Sequence, residues 1–159
     1  MQKLTTLRGL KNQIERIKLL EAKVSEIESK VGEVTTQSSE TWHDNAPYSI
    51  LVEELGIADR RLRDAHEELR SYVIHEYPVS LEEPRIDYGT RVKLQRNGKS
   101  EEICFVGYGE TDFDKGHLAY DCPLALVLNG RLAGQAFTAE INGKSNTFFI
   151  ERVTAIERD

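Results

Sequence analysis

The first half of the chain carries a seven-residue hydrophobic repeat in two separate segments. In the first segment, one repeat position is occupied by Leu10, Ile17, Val24 and Val31, and a second position by Gln13, Leu20, Ile27 and Val34. Gln13 is the polar exception in an otherwise apolar set. This spacing is the a/d pattern of a coiled coil. It predicts a helix whose apolar seam runs for roughly 36 Å at 1.5 Å per residue.

The second segment repeats the pattern after a short interruption. One row consists of Tyr48, Leu55, Leu62 and Leu69, and the other of Leu51, Ala58, Ala65 and Tyr72. The alanines allow two helix backbones to approach closely. Because the connector is short, we predict that the two helices are antiparallel neighbours in one hairpin. The alternative is a pair of separate surface helices in a globular bundle.

The connector between the two helical segments reads TTQSSETWHDNAP. Its Thr, Ser and Asn side chains compete for backbone hydrogen bonds and interrupt a helix. Asp44 or Asn45 can cap the second helix, and Pro47 suits its first turn. The seam stops before this stretch and resumes after it, so we predict a hairpin tip made of Glu40, Thr41, Trp42, His43, Asp44 and Asn45.

The second half of the chain changes to the alternating pattern of β-strands. TRVKLQ and EEICFVGY flank an Asn97-Gly98 turn, and GQAFTAEI and SNTFFIERV flank an Asn142-Gly143 turn. Between the two hairpins, CPLALVLNG predicts a short helix, with Pro123 near its start and Gly130 as its C-cap. We therefore predict an α+β fold in which an antiparallel sheet has one face covered by this helix.

Two prolines mark the predicted domain boundary. Pro78 and Pro84 end helical continuation, so we assign residues 1–75 to the hairpin, 76–87 to a linker and 88–159 to the C-terminal domain.

Composition and charge narrow the classes of partner. The net charge is −6; residues 1–74 hold 11 Lys+Arg and 13 Asp+Glu, and residues 75–159 hold 10 and 14. Neither half is basic, which argues against direct binding of duplex DNA and favours a protein partner.

The chain has no 18-residue apolar run and no leader-like N-terminus, so we expect a cytoplasmic location without membrane contact. Cys104 and Cys122 are expected to be reduced thiols.

The acidic residues of the predicted tip suggest a chemical role. Glu40 and Asp44 supply the hard oxygen ligands that Mg²⁺ prefers. Donated into another protein's cavity, they would help hold a second metal ion beside a phosphodiester. Solvated loop carboxylates, with Asp44 only a helix cap, are the simpler alternative. The sequence has no Ser-His-Asp arrangement, phosphate loop or HExxH motif, so we expect no catalytic centre of its own.

Other polar and aromatic residues leave alternatives open. Trp42 would either anchor a partner surface or fold back over the hairpin end. His43 beside Asp44 would be an acid/base pair or an ordinary loop residue. The group Arg60, Arg61 and Arg63 would steer the protein toward RNA or phosphates, or simply be solvated.

Taken together, these stretches resemble the GreA/GreB family of bacterial transcript-cleavage factors over almost the whole chain. TLRG resembles the family's entry into its first helix, and DNAPY its tip element. YGTRVKL, FVGYGETDFDKGHLAYDCPLALVLNGRLAGQAF and FFIERV resemble its C-terminal domain. The long match around Pro-Leu-Ala-x-x-Leu-x-Gly is the most specific of these.

The resemblance implies a fold and a mechanism. The fold would be an antiparallel coiled coil joined to an FKBP-like domain that docks on the rim of the RNA polymerase secondary channel. The coiled coil would enter the channel as a monomer, and its tip would share a Mg²⁺ with the polymerase, which then cleaves backtracked RNA at its 3′ end. Carried onto this sequence, Asp121, Cys122 and Pro123 occupy polymerase-docking positions, and Asp44 and Glu40 are candidate metal ligands.

The tip departs from the family pattern, which is Asp-x-x-acid-Asn. Thr41 stands at the first acid, Asp44 replaces a residue that is commonly Glu, and Cys122 replaces a Ser in the docking element. Two functions therefore stay open: a cleavage-stimulating elongation factor, or a channel-occupying regulator without cleavage stimulation. A peptidyl-prolyl isomerase based on the FKBP-like half is disfavoured, because the aromatic residues are spread along strands.

Overall fold

The structure is a computed structural model that describes residues 1–37 and 46–157. Its first half contains two long helices. Helix α1 spans Leu7–Gln37 and helix α2 spans Ala46–Arg70. Every predicted seam residue from Leu10 to Val34 and from Tyr48 to Leu69 is buried or half-buried. The seven-residue repeat therefore identified the packed face of both helices.

The pairs of contacting residues show that the two helices run in opposite directions. Ile27 packs with Val24 and Ala58 in one apolar cluster, which Val31 and Leu55 extend. Farther along, the Gln13 side-chain amide donates to the Ala65 carbonyl oxygen at 3.0 Å. Early residues of α1 thus meet late residues of α2, which confirms the antiparallel hairpin.

For the ends of α2, one prediction is confirmed, one is wrong and one concerns residues outside the described ranges. Pro47 lies in the first turn of α2, as predicted, since the helix begins at Ala46. The capping residues proposed for this end, Asp44 and Asn45, lie outside the described residues. The prediction for Tyr72 is wrong, because α2 ends at Arg70 and Tyr72 begins a strand.

The chain divides into two compact units. One unit is Lys11–Ser71, which contains the packed helices; the other combines Met1–Leu10 with Tyr72–Asp159. The first ten residues therefore group with the C-terminal part of the chain. The limits assigned from the sequence, with a linker at 76–87, stay a prediction, and Tyr77 and Ile86 from that stretch are buried.

The second unit contains a two-stranded and a five-stranded sheet. Strand β1 (Lys3–Thr5) pairs in parallel with β2 (Tyr72–Ile74). The strands of the larger sheet are β3 (Thr90–Arg96), β4 (Lys99–Val106), β5 (His117–Ala119), β6 (Ala136–Ile141) and β7 (Lys144–Ala155). Their order in the sheet is β5-β4-β3-β7-β6.

The predicted α+β class is confirmed, but the sheet is not wholly antiparallel. Strand β5 pairs in parallel with β4, with Cys104 opposite His117. His117, the last residue of the stretch GETDFDKGH, begins β5. A parallel pair is possible here because a long connection, including a 3₁₀ turn at Phe113–Lys115, returns the chain to the same sheet edge.

Both predicted hairpin turns are present. Asn97 and Gly98 have φ of 52° and 79°, and Asn142 and Gly143 have 50° and 75°. Positive φ at both central residues defines the type I′ turn, whose twist matches that of the flanking strands.

The short helix α3 (Pro123–Leu128) covers one face of the larger sheet. Its Ala125 and Leu128 are buried with the strand residues Leu94, Phe105 and Ile150. Pro123 begins the helix as predicted, with Cys122 as the N-cap. The C-cap is Asn129 rather than Gly130; Gly130 follows with φ of 78°, the left-handed conformation common just after a helix.

Candidate functional site

The predicted hairpin tip lies between the described ends of α1 and α2. Glu40, Thr41, Trp42, His43, Asp44 and Asn45 are all outside the described residues. What the structure describes is the pair of helix ends, at Gln37 and Ala46, that the connector joins. In residues 1–37 and 46–157, no group of three His, Cys, Asp or Glu side chains could hold a metal ion. The roles of Glu40 and Asp44 as metal ligands stay predictions.

Three arginines follow one another on α2. Arg60, Arg61 and Arg63 are exposed. Within the described ranges, no ion pair joins any of these guanidinium groups to a carboxylate. In the described part of the hairpin, these guanidinium groups are therefore solvated and not held by a carboxylate.

The predicted docking residues Asp121, Cys122 and Pro123 stand at the start of α3. The Cys122 sulfur accepts a hydrogen bond from the Ala125 backbone N–H at 3.4 Å, so it is the N-cap of the helix. A serine hydroxyl makes the same kind of cap. Cys122 therefore makes the kind of capping interaction that a serine hydroxyl would make at this position.

The carboxylate of Asp121 is held by a tyrosine. The Tyr108 hydroxyl donates to Asp121 Oδ2 at 2.6 Å. Asp121 is half-buried, while Pro123 is exposed. The structure thus brings an oriented carboxylate and an exposed apolar ring together at one end of α3.

Leu126 lies on the same helix as Pro123, and the sequence pattern did not identify it as an exposed residue. It lies three residues after Pro123, on the same side of the helix, and its side chain is 66% exposed. The stretch PLALVL is uniformly apolar, so its pattern could not separate an outward leucine from the buried Leu128. We call Asp121, Pro123 and Leu126 the α3 surface.

Behind the α3 surface, tyrosines form a connected cluster. Tyr120 contacts both Tyr88 and Tyr108 edge to face, at centroid distances of 5.2 and 6.1 Å. Tyr77 lies 5.2 Å from Tyr88, and its hydroxyl donates to Glu110 at 2.9 Å. Burial raises the pKa of Tyr77 and of Tyr88 above the usual phenol value. Both rings therefore stay neutral hydrogen-bond donors.

The N-terminal segment closes over this cluster. The Leu4 N–H donates to the Tyr120 hydroxyl at 3.0 Å, and the Thr5 hydroxyl donates to the Tyr108 carbonyl at 2.6 Å. Thr6 donates to the carboxylate of Glu110. Hydrogen bonds thus join the first residues of the chain to Tyr108, Tyr120 and Glu110.

Comparison with known proteins identifies the family. The transcription elongation factor GreA of Aliarcobacter butzleri is 30% identical to this chain over 112 residues, which cover 69% of each protein. GreA of Vibrio parahaemolyticus is 27% identical over 156 residues, covering 95% of this chain and 96% of that protein. This chain belongs to the GreA/GreB family. The model of the GreA/GreB C-terminal domain of transcription elongation factors matches residues 81–155.

The match to the GreA/GreB C-terminal domain includes the α3 surface. Residues 81–155 include Tyr108, Asp121, Pro123 and Leu126, whereas the helical hairpin lies outside that match and is covered by the longer relative. Among solved structures, GreA factor homolog 1 of Thermus thermophilus is 16% identical, with 96% of this chain and 99% of that chain covered and a TM-score of 0.45.

The remaining predictions concern the two cysteines and contact with a membrane. Cys104 is buried and Cys122 is half-buried, and no disulfide joins these two described residues. Their reduced state in solution stays a prediction. Among the described residues, neither α1 nor any other helix has the length and apolar character needed to cross a bilayer.

Proposed function

We propose that this chain is a transcription elongation factor that binds bacterial RNA polymerase at its secondary channel and stimulates cleavage of backtracked RNA. Membership of the GreA/GreB family supports the elongation-factor role. The single observation that carries the mechanism is the antiparallel packing of α1 against α2, shown by the contact of Gln13 with Ala65. This packing turns two helices into one stiff arm that ends in the acidic connector.

The length of the arm suits insertion into a channel. From Gln13 to Gln37 is 24 helical steps, or about 36 Å at 1.5 Å per residue. The buried Ile17, Val24 and Ile27 stiffen this length by packing against α2. In the proposed complex, the α3 surface binds the polymerase and the arm reaches toward its active centre.

The chemistry at the end of the arm depends on carboxylates. Asp44 would donate oxygen ligands to a Mg²⁺ shared with the polymerase, with Glu40 one position before the missing first acid. When bound, that ion would supply charge stabilisation for hydrolysis of the RNA phosphodiester. Asp44 is one methylene shorter than Glu, and a misplacement of about 1 Å can cost on the order of 100-fold in rate. We therefore expect weaker stimulation than from a factor with both acids.

Thr41 favours a second candidate function. A threonine hydroxyl at the first acid position carries no charge and is a poorer ligand for Mg²⁺. With the same docking surface and arm, the protein would then occupy the channel and regulate polymerase without stimulating cleavage. In either case the chain acts as an accessory factor, and the polymerase supplies the nuclease.

A cleavage assay on stalled, backtracked elongation complexes tests the proposal. We expect the wild-type protein, at saturating concentration, to accelerate RNA shortening, and Asp44→Ala to return the rate to that of polymerase alone. Thr41→Asp serves as the matched gain-of-function variant, and it should raise the rate by about 10- to 100-fold if a misplaced or missing ligand limits stimulation.

The outcomes separate the two functions. If wild-type protein binds polymerase but RNA shortening is no faster than without it, cleavage stimulation is rejected and the channel-occupying role holds. If Asp44→Ala stimulates as well as wild type, Asp44 is only a helix cap. Glu40→Ala identifies whether the neighbouring acid compensates for Thr41.

A further inference from the structure

We infer that Tyr108 is a positioning residue that holds the Asp121 carboxylate in its docking orientation. This inference rests on the proposed docking of the α3 surface on polymerase. It assigns a role to a residue on the loop after β4, thirteen positions before the carboxylate that it contacts.

The hydrogen bond occupies one oxygen of the carboxylate. Tyr108 donates to Asp121 Oδ2 at 2.6 Å, a length typical of a charge-assisted O–H···O⁻ bond. Among the described residues, no other side chain or backbone donor contacts this carboxylate. The second oxygen therefore keeps its acceptor capacity for a donor from a partner, such as an arginine, a lysine or a backbone N–H.

Tyr108 is itself fixed on several sides. Its N–H donates to the Leu4 carbonyl at 3.0 Å, and its own carbonyl accepts from Thr5. Its ring lies 6.1 Å from the rings of both Tyr72 and Tyr120. The Lys3 ammonium stands 4.4 Å from the ring centroid. A donor with so little freedom limits the rotamers of the side chain that it binds.

A fixed carboxylate binds more tightly than a free one. Immobilising a side chain on association costs about 0.5–1.5 kcal/mol, and Tyr108 removes this cost before polymerase arrives. Without the hydroxyl, we expect the dissociation constant for polymerase to rise about 3- to 10-fold. Because the effect acts through Asp121, it should disappear when the carboxylate is absent.

A double-mutant cycle tests this inference. Binding to immobilised core RNA polymerase is measured by surface plasmon resonance for the wild type, Tyr108→Phe, Asp121→Ala and the double variant. We expect Tyr108→Phe to weaken binding and Asp121→Ala to weaken it further, with the double variant equal to Asp121→Ala. Tyr120→Phe is the matched control, because its hydroxyl accepts from Leu4 and makes no contact with Asp121, so its affinity should match that of wild type.

The other possible results of this binding experiment lead to different conclusions about docking and positioning. If Asp121→Ala binds as well as wild type, the proposed docking surface is wrong. If Asp121→Ala binds weakly but Tyr108→Phe binds normally, docking stands and the positioning role is rejected. Additive losses in the double variant, or an equal loss in Tyr120→Phe, assign Tyr108 a general structural role. All variants are compared at a temperature at which circular dichroism shows each one folded.

Discussion

At the scale of single residues, two glycines of α1 have different physical reasons to be present. A Cβ on Gly9 would overlap the Thr5 hydroxyl and the backbone carbonyl of Tyr108, which cannot move away cheaply. Gly32 has no neighbouring atom within 4 Å of an added Cβ. Gly9 therefore permits a close approach of the first helical turn to the loop after β4, whereas Gly32 only weakens a helix.

Alanine substitutions should separate these two roles. Gly9→Ala should lower the free energy of unfolding by about 1–3 kcal/mol, because overpacking forces backbone to shift. Gly32→Ala should raise it by up to about 1 kcal/mol, because alanine is the better helix former. Urea unfolding followed by circular dichroism measures both, and a stabilised Gly9→Ala would show that the close approach does not exist in solution.

At the scale of elements, the long helices could be predicted and the shortest strands could not. A seven-residue repeat sustained over several turns is specific, and it located every seam residue up to Leu69. Strands β1, β2 and β5 have three residues each, too few for alternation to be visible. Their formation depends on partners distant in sequence, as in the pairing of Lys3 with Tyr72. The same limit concealed that Tyr72 leaves the helix.

The hairpin should depend on its seam and not on its outer face. Ile27 is 3% exposed, whereas Leu19 on the same helix is 74% exposed. Ile27→Ala should destabilise the protein by about 2–5 kcal/mol, since it removes buried volume between the helices. Leu19→Ala is the matched control and should change stability by less than about 0.5 kcal/mol. Thermal melts at 222 nm measure both, and equal effects would contradict the antiparallel packing.

At the scale of the whole molecule, the candidate site could be predicted only in part. The positions of Asp121 and Pro123 followed from a motif, and the structure shows Pro123 as the first residue of α3 with Asp121 two residues before it. The support of Asp121 by Tyr108 could not be predicted, because no local pattern links a loop tyrosine to that carboxylate. The tip residues, including Asp44, stay predictions from sequence.

Docking and cleavage should be separable in the intact protein. In the proposed function, the α3 surface docks on polymerase and the tip supplies metal ligands. Asp44→Ala should therefore bind polymerase with a dissociation constant within about twofold of wild type, because substitutions at independent sites contribute additively. In excess, it should compete with wild-type protein and slow RNA cleavage. The Asp44→Ala, Asp121→Ala double variant should fail to compete; a large loss of affinity in Asp44→Ala alone would show that the tip also contributes to binding.

The pairing of β1 with β2 has a consequence for how the chain folds during synthesis. These strands bracket the complete hairpin, so the N-terminal residues leave the ribosome long before Tyr72, their first partner, exists. Closing such a long loop costs entropy that grows with the number of intervening residues. Once α1 and α2 have associated, Gln13 already touches Ala65, and the remaining gap is only a few residues on each side. The hairpin therefore shortens the search that would otherwise delay completion of the C-terminal unit.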